Sequence, residues 1–462
     1  MYHTNCNQEL AASRRPPAAS SERALGAFSS CPLPLSASPC QETPALRVPA
    51  SPRRDDARRQ VSLSPRPVIH RAEMVLPITR PPIENGAVAV AEGVILDVGP
   101  FNLLRRQWPA AQVSEQQEGC VLPALVNIHA HLDLSALAGK VKPEGGMANW
   151  IRRLIAAREL VNGAQQEEAH IKALASMRAS GTGIVGDINS SAASLQGNSH
   201  ETVLTRSFVE VMGLHIEGLH RALDKLPETA QQLVDKGLEE VSLAAHAPYT
   251  TSASLFREVK AWGSTRAKIV SAHVAESEEE IVFLRSGKGP LRDLLEERGM
   301  DPAKWQPPGC GGVSYLNRLG FLDRHSLCVH VVHISDEEIH LLKRSGAGVC
   351  MCPRSNLFIG NGLPPVAHLL EAGIPCGLGT DSLASNDDLN LFREMAVLVD
   401  QCGIRPDTVL VMATLNGARN LGMAGLYGSL EKGKRWLAIR VAATDSEAIV
   451  VAGCAGALQW LR

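Results

Sequence analysis

Eight apolar segments that alternate with helical segments are the feature that most constrains the fold. They are VLPALVNIHAHLDLS, GTGIVGDINSS, SFVEVMGLH, VSLAAHAPYT, AKIVSAHVAES, SLCVHVVHIS, GAGVCMCPRSN and IPCGLGTDSLASN. Helical stretches separate them, among them residues 150–161, 167–180, 228–236 and 252–262. Strands that lack an alternation of polar and apolar residues are typical of parallel sheets covered on both faces. Eight such βα repeats predict an α/β protein with a (β/α)8 TIM barrel.

The two ends of the chain differ from this middle. Residues 1–66 are rich in proline, serine and arginine and contain no lysine, which predicts a disordered or extraneous tail. An organellar transit peptide and a start assigned too early are the open alternatives. Residues 67–118 and 427–462 alternate short strands with turns. They predict a small discontinuous β-sandwich domain formed by N- and C-terminal segments, with the barrel domain at 119–426.

Composition excludes several classes of protein. The formal net charge of −2 provides no attraction for nucleic acid or for an anionic membrane surface, so neither is expected as a partner. No apolar run reaches the roughly 18 residues that a membrane helix requires. The eleven cysteines are odd in number and scattered, which argues against a disulfide framework and favours a cytoplasmic location. The oligomeric state stays open, a homodimer included.

Histidines and carboxylates follow the predicted barrel strands. His129 and His131 are separated by one residue, so both imidazoles leave one face of the first strand. An isolated pair of this kind is as often structural as functional. The ends of four later strands, however, carry further candidates, and the carboxyl ends of barrel strands meet at one mouth. These candidates are His246, His273, Glu276, His330, His333 and Asp381.

Three imidazole nitrogens and one carboxylate oxygen form a suitable ligand set for a divalent metal ion, with a position left for water. We expect His129, His131, His273 and Asp381 to bind one such ion. Zn²⁺ is expected, with Fe²⁺ and Mn²⁺ as alternatives. Glu276 stands three residues after His273, where a carboxylate can shuttle protons. His330 is better placed to polarise the attacking hydroxide than to bind the metal.

At this point the chain resembles the amidohydrolase superfamily, and within it the group of deaminases and chlorohydrolases that act on heterocycles. The matching motifs are PALVNIHAHLDLS, AHAPYTTS, HVAESEEE, LCVHVVHISDEEI, CPRSN and GLGTDSLASN, over about residues 68–435. The resemblance implies the same four metal ligands, with Glu276, His330 and Asp381 catalytic. Binuclear members use a lysine at the end of strand 4, which is absent here, so the resemblance implies a single metal. It also implies that His246 contacts substrate, the alternative being a histidine that only bonds neighbouring loops.

The substrate is expected to be a small heterocyclic molecule. The segment GGMANWIRRLIAAR predicts Trp150 and Arg153 as substrate-binding residues near the mouth, unless they only pack a helix face and meet solvent. The loops between strands 5 and 6 resemble the aminodeoxyfutalosine deaminase branch. Hydrolytic deamination of an adenine nucleoside derivative such as aminodeoxyfutalosine is therefore expected. The alternatives are deamination of S-adenosylhomocysteine, methylthioadenosine or guanine, dechlorination of an s-triazine, and a barrel without catalysis.

The expected mechanism assigns each catalytic residue a task. Asp381 and Glu276 would help to deprotonate the attacking water, and Glu276 would then protonate the ring nitrogen beside the amino-bearing carbon. His330 would stabilise the charge that develops on oxygen while ammonia leaves.

Overall fold

The computed structural model describes residues 66–189, 203–301 and 304–461, which belong to one compact unit, Leu63–Arg462. The predicted tail at residues 1–66 lies outside them except for its last residue. The strands are β1 Val68–Val75, β2 Ile83–Glu84, β3 Gly86–Ala91, β4 Val94–Pro100, β5 Gln112–Pro123, β6 Leu125–Ala130, β7 Thr182–Asn189, β8 Leu204–Val211, β9 Val241–Ala245, β10 Val270–Val274, β11 Ser326–His330, β12 Gly348–Met351, β13 Cys376–Leu378, β14 Ala438–Val441 and β15 Leu458–Leu461.

The α-helices are named here by their residues. They are Phe101–Gln107, Gly146–Glu159, Gly163–Ala179, Leu219–Leu223, Glu228–Lys236, Ala253–Thr265, Glu278–Ser286, Pro290–Glu297, Gly312–Arg318, Asp336–Ser345, Pro353–Ile359, Val366–Glu371, Leu391–Cys402, Pro406–Val411, Gly417–Asn420 and Ser446–Cys454. A 3₁₀ helix covers Leu132–Leu137 and a π-helix covers Met412–Asn416. Within the described ranges, no helix combines the length and the apolar character needed to cross a membrane.

The eight predicted barrel strands form one parallel sheet in the order β13-β12-β11-β10-β9-β8-β7-β6. The sheet closes where the carbonyl oxygen of His129 accepts hydrogen bonds from the backbone N–H groups of Thr380, at 3.1 Å, and Asp381, at 3.2 Å. Gly379 permits this approach, since a Cβ there would lie 2.7 Å from the same carbonyl oxygen. The predicted (β/α)8 barrel is therefore confirmed.

The barrel strands bury both faces, which explains their continuous apolar sequences. Val126, Ile128, Phe208 and Val329 belong to an inner cluster. Neighbouring strand residues such as Leu125 face the surrounding helices in a second, larger cluster. At about 25 cal/mol per Å² of buried apolar surface, these two layers supply most of the stabilisation of the barrel.

The terminal segments form a separate sheet of seven strands in the order β15-β14-β5-β1-β3-β4, with β2 beside β1. Strands β14 and β15 come from the carboxyl end of the chain, and β14 pairs antiparallel with β5. Only Ala124 separates β5 from β6, so the chain passes directly from this sheet into the barrel. The second sheet built from both chain ends agrees with the fold expected from the sequence. The division into domains at 67–118, 119–426 and 427–462 stays a prediction.

Candidate active site

His129 and His131 stand at the carboxyl end of β6, with ring centroids 4.9 Å apart. His129 is completely buried, and neither of its ring nitrogens has a hydrogen-bond partner. Buried polar atoms without partners are rare in folded proteins, and a ligand is one of the explanations they call for. The strand end predicted from the sequence is therefore a place where a bound group would satisfy the side chains.

The four predicted metal ligands converge at this mouth. Nε2 of His131 lies 3.2 Å from Nε2 of His273. Oδ1 of Asp381 lies 3.4 Å from Nε2 of His129 and 3.6 Å from Nε2 of His131. Tetrahedral bonds of about 2.0–2.1 Å would separate neighbouring ligand atoms by roughly 3.3–3.4 Å. The donor set and its spacing thus fit one divalent metal ion.

The protonation states also suit a metal. Burial, reinforced by His129, lowers the pKa of His131 to about 3, and burial holds the pKa of His273 well below its usual value. Burial opposes ionisation of Asp381, yet the nearby imidazoles of His129, His131 and His330 bring its pKa well below the usual range. Neutral imidazoles and an ionised carboxylate are the forms that bind metals.

Two hydroxyl groups orient the Asp381 carboxylate. Ser355 and Ser385 each donate to Oδ2 at 2.6 Å, which leaves Oδ1 facing the histidines. Ser355 comes from the helix Pro353–Ile359, and Ser385 follows Asp381 in its own loop. The backbone of Asp381 has a φ of 55°, a conformation that costs a non-glycine residue of the order of 1–3 kcal/mol. The two hydrogen bonds thus fix the Asp381 side chain on a backbone conformation that is unfavourable for a residue other than glycine.

Glu276 and His330 face each other beside the ligands, with Oε1 of Glu276 3.7 Å from Nε2 of His330. Burial, with Asp381 and Glu280 nearby, raises the pKa of Glu276 well above its usual value. Nδ1 of His330 donates to Oδ1 of Asn356 at 2.9 Å, which directs Nε2 toward Glu276. A buried carboxyl with a raised pKa, beside an oriented imidazole, can carry out acid–base chemistry.

The turn that carries Glu276 is held by Glu280. The carboxylate of Glu280 accepts hydrogen bonds from the backbone N–H groups of Ala275 and Glu276, each at 2.9 Å. Ser277 caps the following helix by accepting from the N–H of Glu280. Ala275 has a φ of 55°, so the chain turns sharply between the strand and the helix. The HVAESEEE segment therefore builds its own support for the candidate proton shuttle.

The predicted substrate-binding residues lie in two settings. His246 follows β9, with its ring centroid 5.2 Å from that of His273 and its Nδ1 2.5 Å from the Thr250 hydroxyl. Trp150 packs in an apolar cluster that includes Leu134, Val141 and Ile359. The Arg153 side chain donates to the carbonyl oxygens of Lys142 and Glu144 in the preceding loop. The structure thus groups His246 with the predicted metal ligands and gives Trp150 and Arg153 contacts within the protein. The roles of all three in substrate binding stay predictions.

Several residues of the site were not singled out in the sequence. Ser355 and Asn356 lie in the CPRSN motif, but the motif alone does not indicate their contacts with Asp381 and His330. Glu210, near the end of β8, is 8% exposed, and its Oε1 lies 3.7 Å from Nδ1 of His273. Burial, followed by the charge of Asp133, raises the pKa of Glu210 to about 8. The signal for Glu210 in the sequence is that it is the single charged residue in the apolar segment SFVEV.

Comparison with known proteins places the chain among metal-dependent hydrolases. The model of the amidohydrolase family matches residues 120–458. A 5-methylthioadenosine/S-adenosylhomocysteine deaminase of Moorella thermoacetica is 29% identical over 78% of this chain and 82% of its own length. An aminodeoxyfutalosine deaminase of Deinococcus radiodurans is 30% identical over 76% of this chain and 84% of its own length. The crystal structure of a zinc-bound adenosine deaminase from Xanthomonas campestris matches with 25% identity and a TM-score of 0.65, covering 82% of this chain and 85% of that one.

Proposed function

Because the chain belongs to the amidohydrolase family, a family of metal-dependent hydrolases, we propose that it removes the exocyclic amino group of an adenine nucleoside derivative by hydrolysis. One observation carries the proposal: four ligand side chains, Glu276 and His330 converge on the mouth of the barrel. The proposed ligands come from three parts of the sequence, and the shifted pKa values of His131, His273 and Asp381 favour the protonation states that a metal requires. The family assignment makes the chain a hydrolase of the class that acts on carbon–nitrogen bonds.

In this proposal His129, His131, His273 and Asp381 hold the metal, with Zn²⁺ as the first candidate. A divalent ion there would lower the pKa of a bound water toward neutrality and so make a nucleophile available. Glu276 accepts a proton from the attacking water and delivers a proton to the ring nitrogen beside the amino-bearing carbon. His330, whose Nδ1–H donates to Asn356, stabilises the charge that develops on the attacking oxygen when its Nε2 also carries a proton. The proton of the added hydroxyl passes to the amino group, ammonia leaves, and His246 contacts the heterocycle.

The substrate class is supported by the relatives. The proteins compared above are named for deamination of methylthioadenosine, S-adenosylhomocysteine, aminodeoxyfutalosine and adenosine, all of them adenine nucleosides. We propose a substrate with the same core, aminodeoxyfutalosine or a 5′-substituted adenosine. A cytoplasmic location, expected from the cysteines, belongs to the same proposal, and the cysteines within the described ranges are free.

The test is a substrate panel on the purified chain. The panel contains adenosine, methylthioadenosine, S-adenosylhomocysteine, aminodeoxyfutalosine, guanine and an s-triazine, with ammonia or chloride release and bound metal measured together. We expect about one equivalent of metal per chain and the largest kcat/KM for an adenine nucleoside. Removal of the metal should abolish turnover, and Zn²⁺ should restore it. A metal-loaded protein that hydrolyses only guanine or the triazine would refute the proposed substrate class.

A further inference from the structure

Glu210 is a buried carboxylate that the proposed mechanism does not use. It stands near the carboxyl end of β8, is 8% exposed, and its Oε1 has no hydrogen-bond partner. Oxygen and nitrogen atoms of Glu210, His246 and His273 lie within 4.8 Å of one another. A buried carboxylate oxygen without a partner costs stability, so a protein that retains one calls for an explanation.

The neighbouring histidine does not provide that explanation. Nδ1 of His273 already donates to the carbonyl oxygen of His246 at 3.0 Å. The distance from Nδ1 to Oε1 of Glu210 is 3.7 Å, which is too long for a hydrogen bond. The acceptor capacity of Glu210 is therefore unused by this metal ligand. Because Glu210 faces Nδ1 whereas Nε2 faces His131, the carboxylate lies on the other side of the imidazole from the ligand atoms.

We propose that Glu210 determines substrate specificity by accepting a hydrogen bond from a hydroxyl group of the nucleoside sugar. This inference rests on the proposed function. An adenine nucleoside has hydrogen-bond donors at two places, the exocyclic amine and the sugar hydroxyls. The reaction requires the exocyclic amine at the proposed metal site. A sugar hydroxyl is therefore the donor that remains for Glu210, which lies on the far side of the His273 imidazole. The amino-bearing carbon and the sugar-bearing nitrogen also lie on opposite sides of the purine.

The experiment compares adenosine with 2′-deoxy-, 3′-deoxy- and 5′-deoxyadenosine as substrates of the wild type, Glu210→Leu and Glu210→Gln. Leucine fills a similar volume without an acceptor, whereas glutamine keeps one acceptor oxygen. Glu371→Gln makes the same chemical change at an exposed helical position and serves as the control. Metal content and the thermal unfolding midpoint are recorded for every variant, so that a folding defect is distinguished from a binding defect.

We expect the wild type to lose about 10- to 100-fold in kcat/KM on one deoxy analogue, the range for leaving a buried hydrogen-bonding group without its partner. Glu210→Leu should reduce kcat/KM for adenosine by a similar factor and leave that analogue unaffected, which erases the discrimination. Glu210→Gln should retain part of the discrimination, and Glu371→Gln all of it. If Glu210→Leu slows all four substrates equally, Glu210 acts through His273 and the inference is wrong. A wild type that acts on no nucleoside overturns the proposed function, and this inference with it.

Discussion

Buried and partly buried histidines occur in two regions of the molecule with different consequences. At the barrel mouth, His129, His131, His246, His273 and His330 lie close to one another, and the ring centroids of His131 and His273 are 5.3 Å apart. In the terminal sheet, His70 is also buried, stacked on Trp436 at a centroid distance of 4.7 Å. Burial lowers the pKa of both His70 and His246 to about 4. Burial and a shifted pKa alone therefore do not separate a functional histidine from one that packs in a core.

The difference lies in what surrounds each imidazole. At the mouth, carboxylates and hydroxyl groups from separate elements orient the ring nitrogens and Asp381 around a common centre. At His70, the contact that the structure provides is a flat aromatic face, and Nδ1 has no hydrogen-bond partner. Convergence of several polar side chains on one centre, rather than burial of a single residue, therefore identifies a functional site. Four substitutions test this distinction.

Asp381→Asn should have the largest effect. It replaces an ionised carboxylate of the proposed ligand set, which accepts hydrogen bonds from two serine hydroxyls. We expect loss of bound metal and a fall in kcat of roughly 10⁴-fold or more, as for groups without which the chemistry cannot proceed. Metal analysis and ammonia release measure the two losses. Asp400→Asn, on an exposed helix position, is the control, and a full equivalent of metal in Asp381→Asn would contradict the proposed ligand set.

Glu276→Gln should separate chemistry from metal binding. The amide cannot exchange protons, so kcat should fall by about 10²- to 10⁴-fold. The metal should remain, because Glu276 is outside the proposed ligand set. Metal content and single-turnover ammonia release are measured on one preparation. Retention of more than a tenth of the wild-type kcat would show that another group shuttles the proton.

His70→Phe should change how the free energy of unfolding depends on pH below neutrality, and it should leave the activity unchanged. The pKa of His70 is about 4 when folded and about 6.5 when unfolded, so the unfolded chain binds more protons between these values. Stability contributed by neutral His70 is therefore present above pH 6.5 and lost as the pH falls toward 4, by up to about 3 kcal/mol. Denaturant unfolding of the metal-free protein at several pH values measures this loss. Phenylalanine keeps the stacking on Trp436, and an unchanged slope in the variant would exclude His70 as the cause.

Of the three substitutions at the barrel mouth, Asn356→Leu should have the smallest effect on activity. His330 would lose the acceptor for its Nδ1–H, and its ring orientation would no longer be fixed. Loss of such a supporting contact typically costs about 10- to 100-fold in activity. Steady-state kinetics with metal analysis measure it, and Asn356→Asp, which keeps an acceptor oxygen, should recover most of the rate. Equal kcat in the leucine variant and the wild type would show that His330 needs no support from this helix.

Much of the candidate site followed from the sequence because its residues occupy strand ends. A strand brings residues two apart to one face, and a parallel barrel brings all carboxyl ends of its strands to one mouth. His129, His131, His273, Glu276, His330 and Asp381 could therefore be grouped without coordinates. Residues whose role depends on the direction of a side chain on a helix could not be assigned in this way. The structure shows that Trp150 packs against Leu134, Val141 and Ile359, and its role in substrate binding stays a prediction.

The sequence by itself determined the barrel, the terminal strands and the chemical types of the ligands. Periodicity and order along the chain encode these features locally, segment by segment. Only the tertiary structure decided that Ser355 and Asn356 hold Asp381 and His330, that Glu280 supports the turn of Glu276, and that Glu210 keeps an acceptor free beside the candidate metal ligands. Such contacts join residues distant in the chain, and they depend on how closely the packed elements approach. The spacing of residues along one sequence does not determine the distances between packed elements.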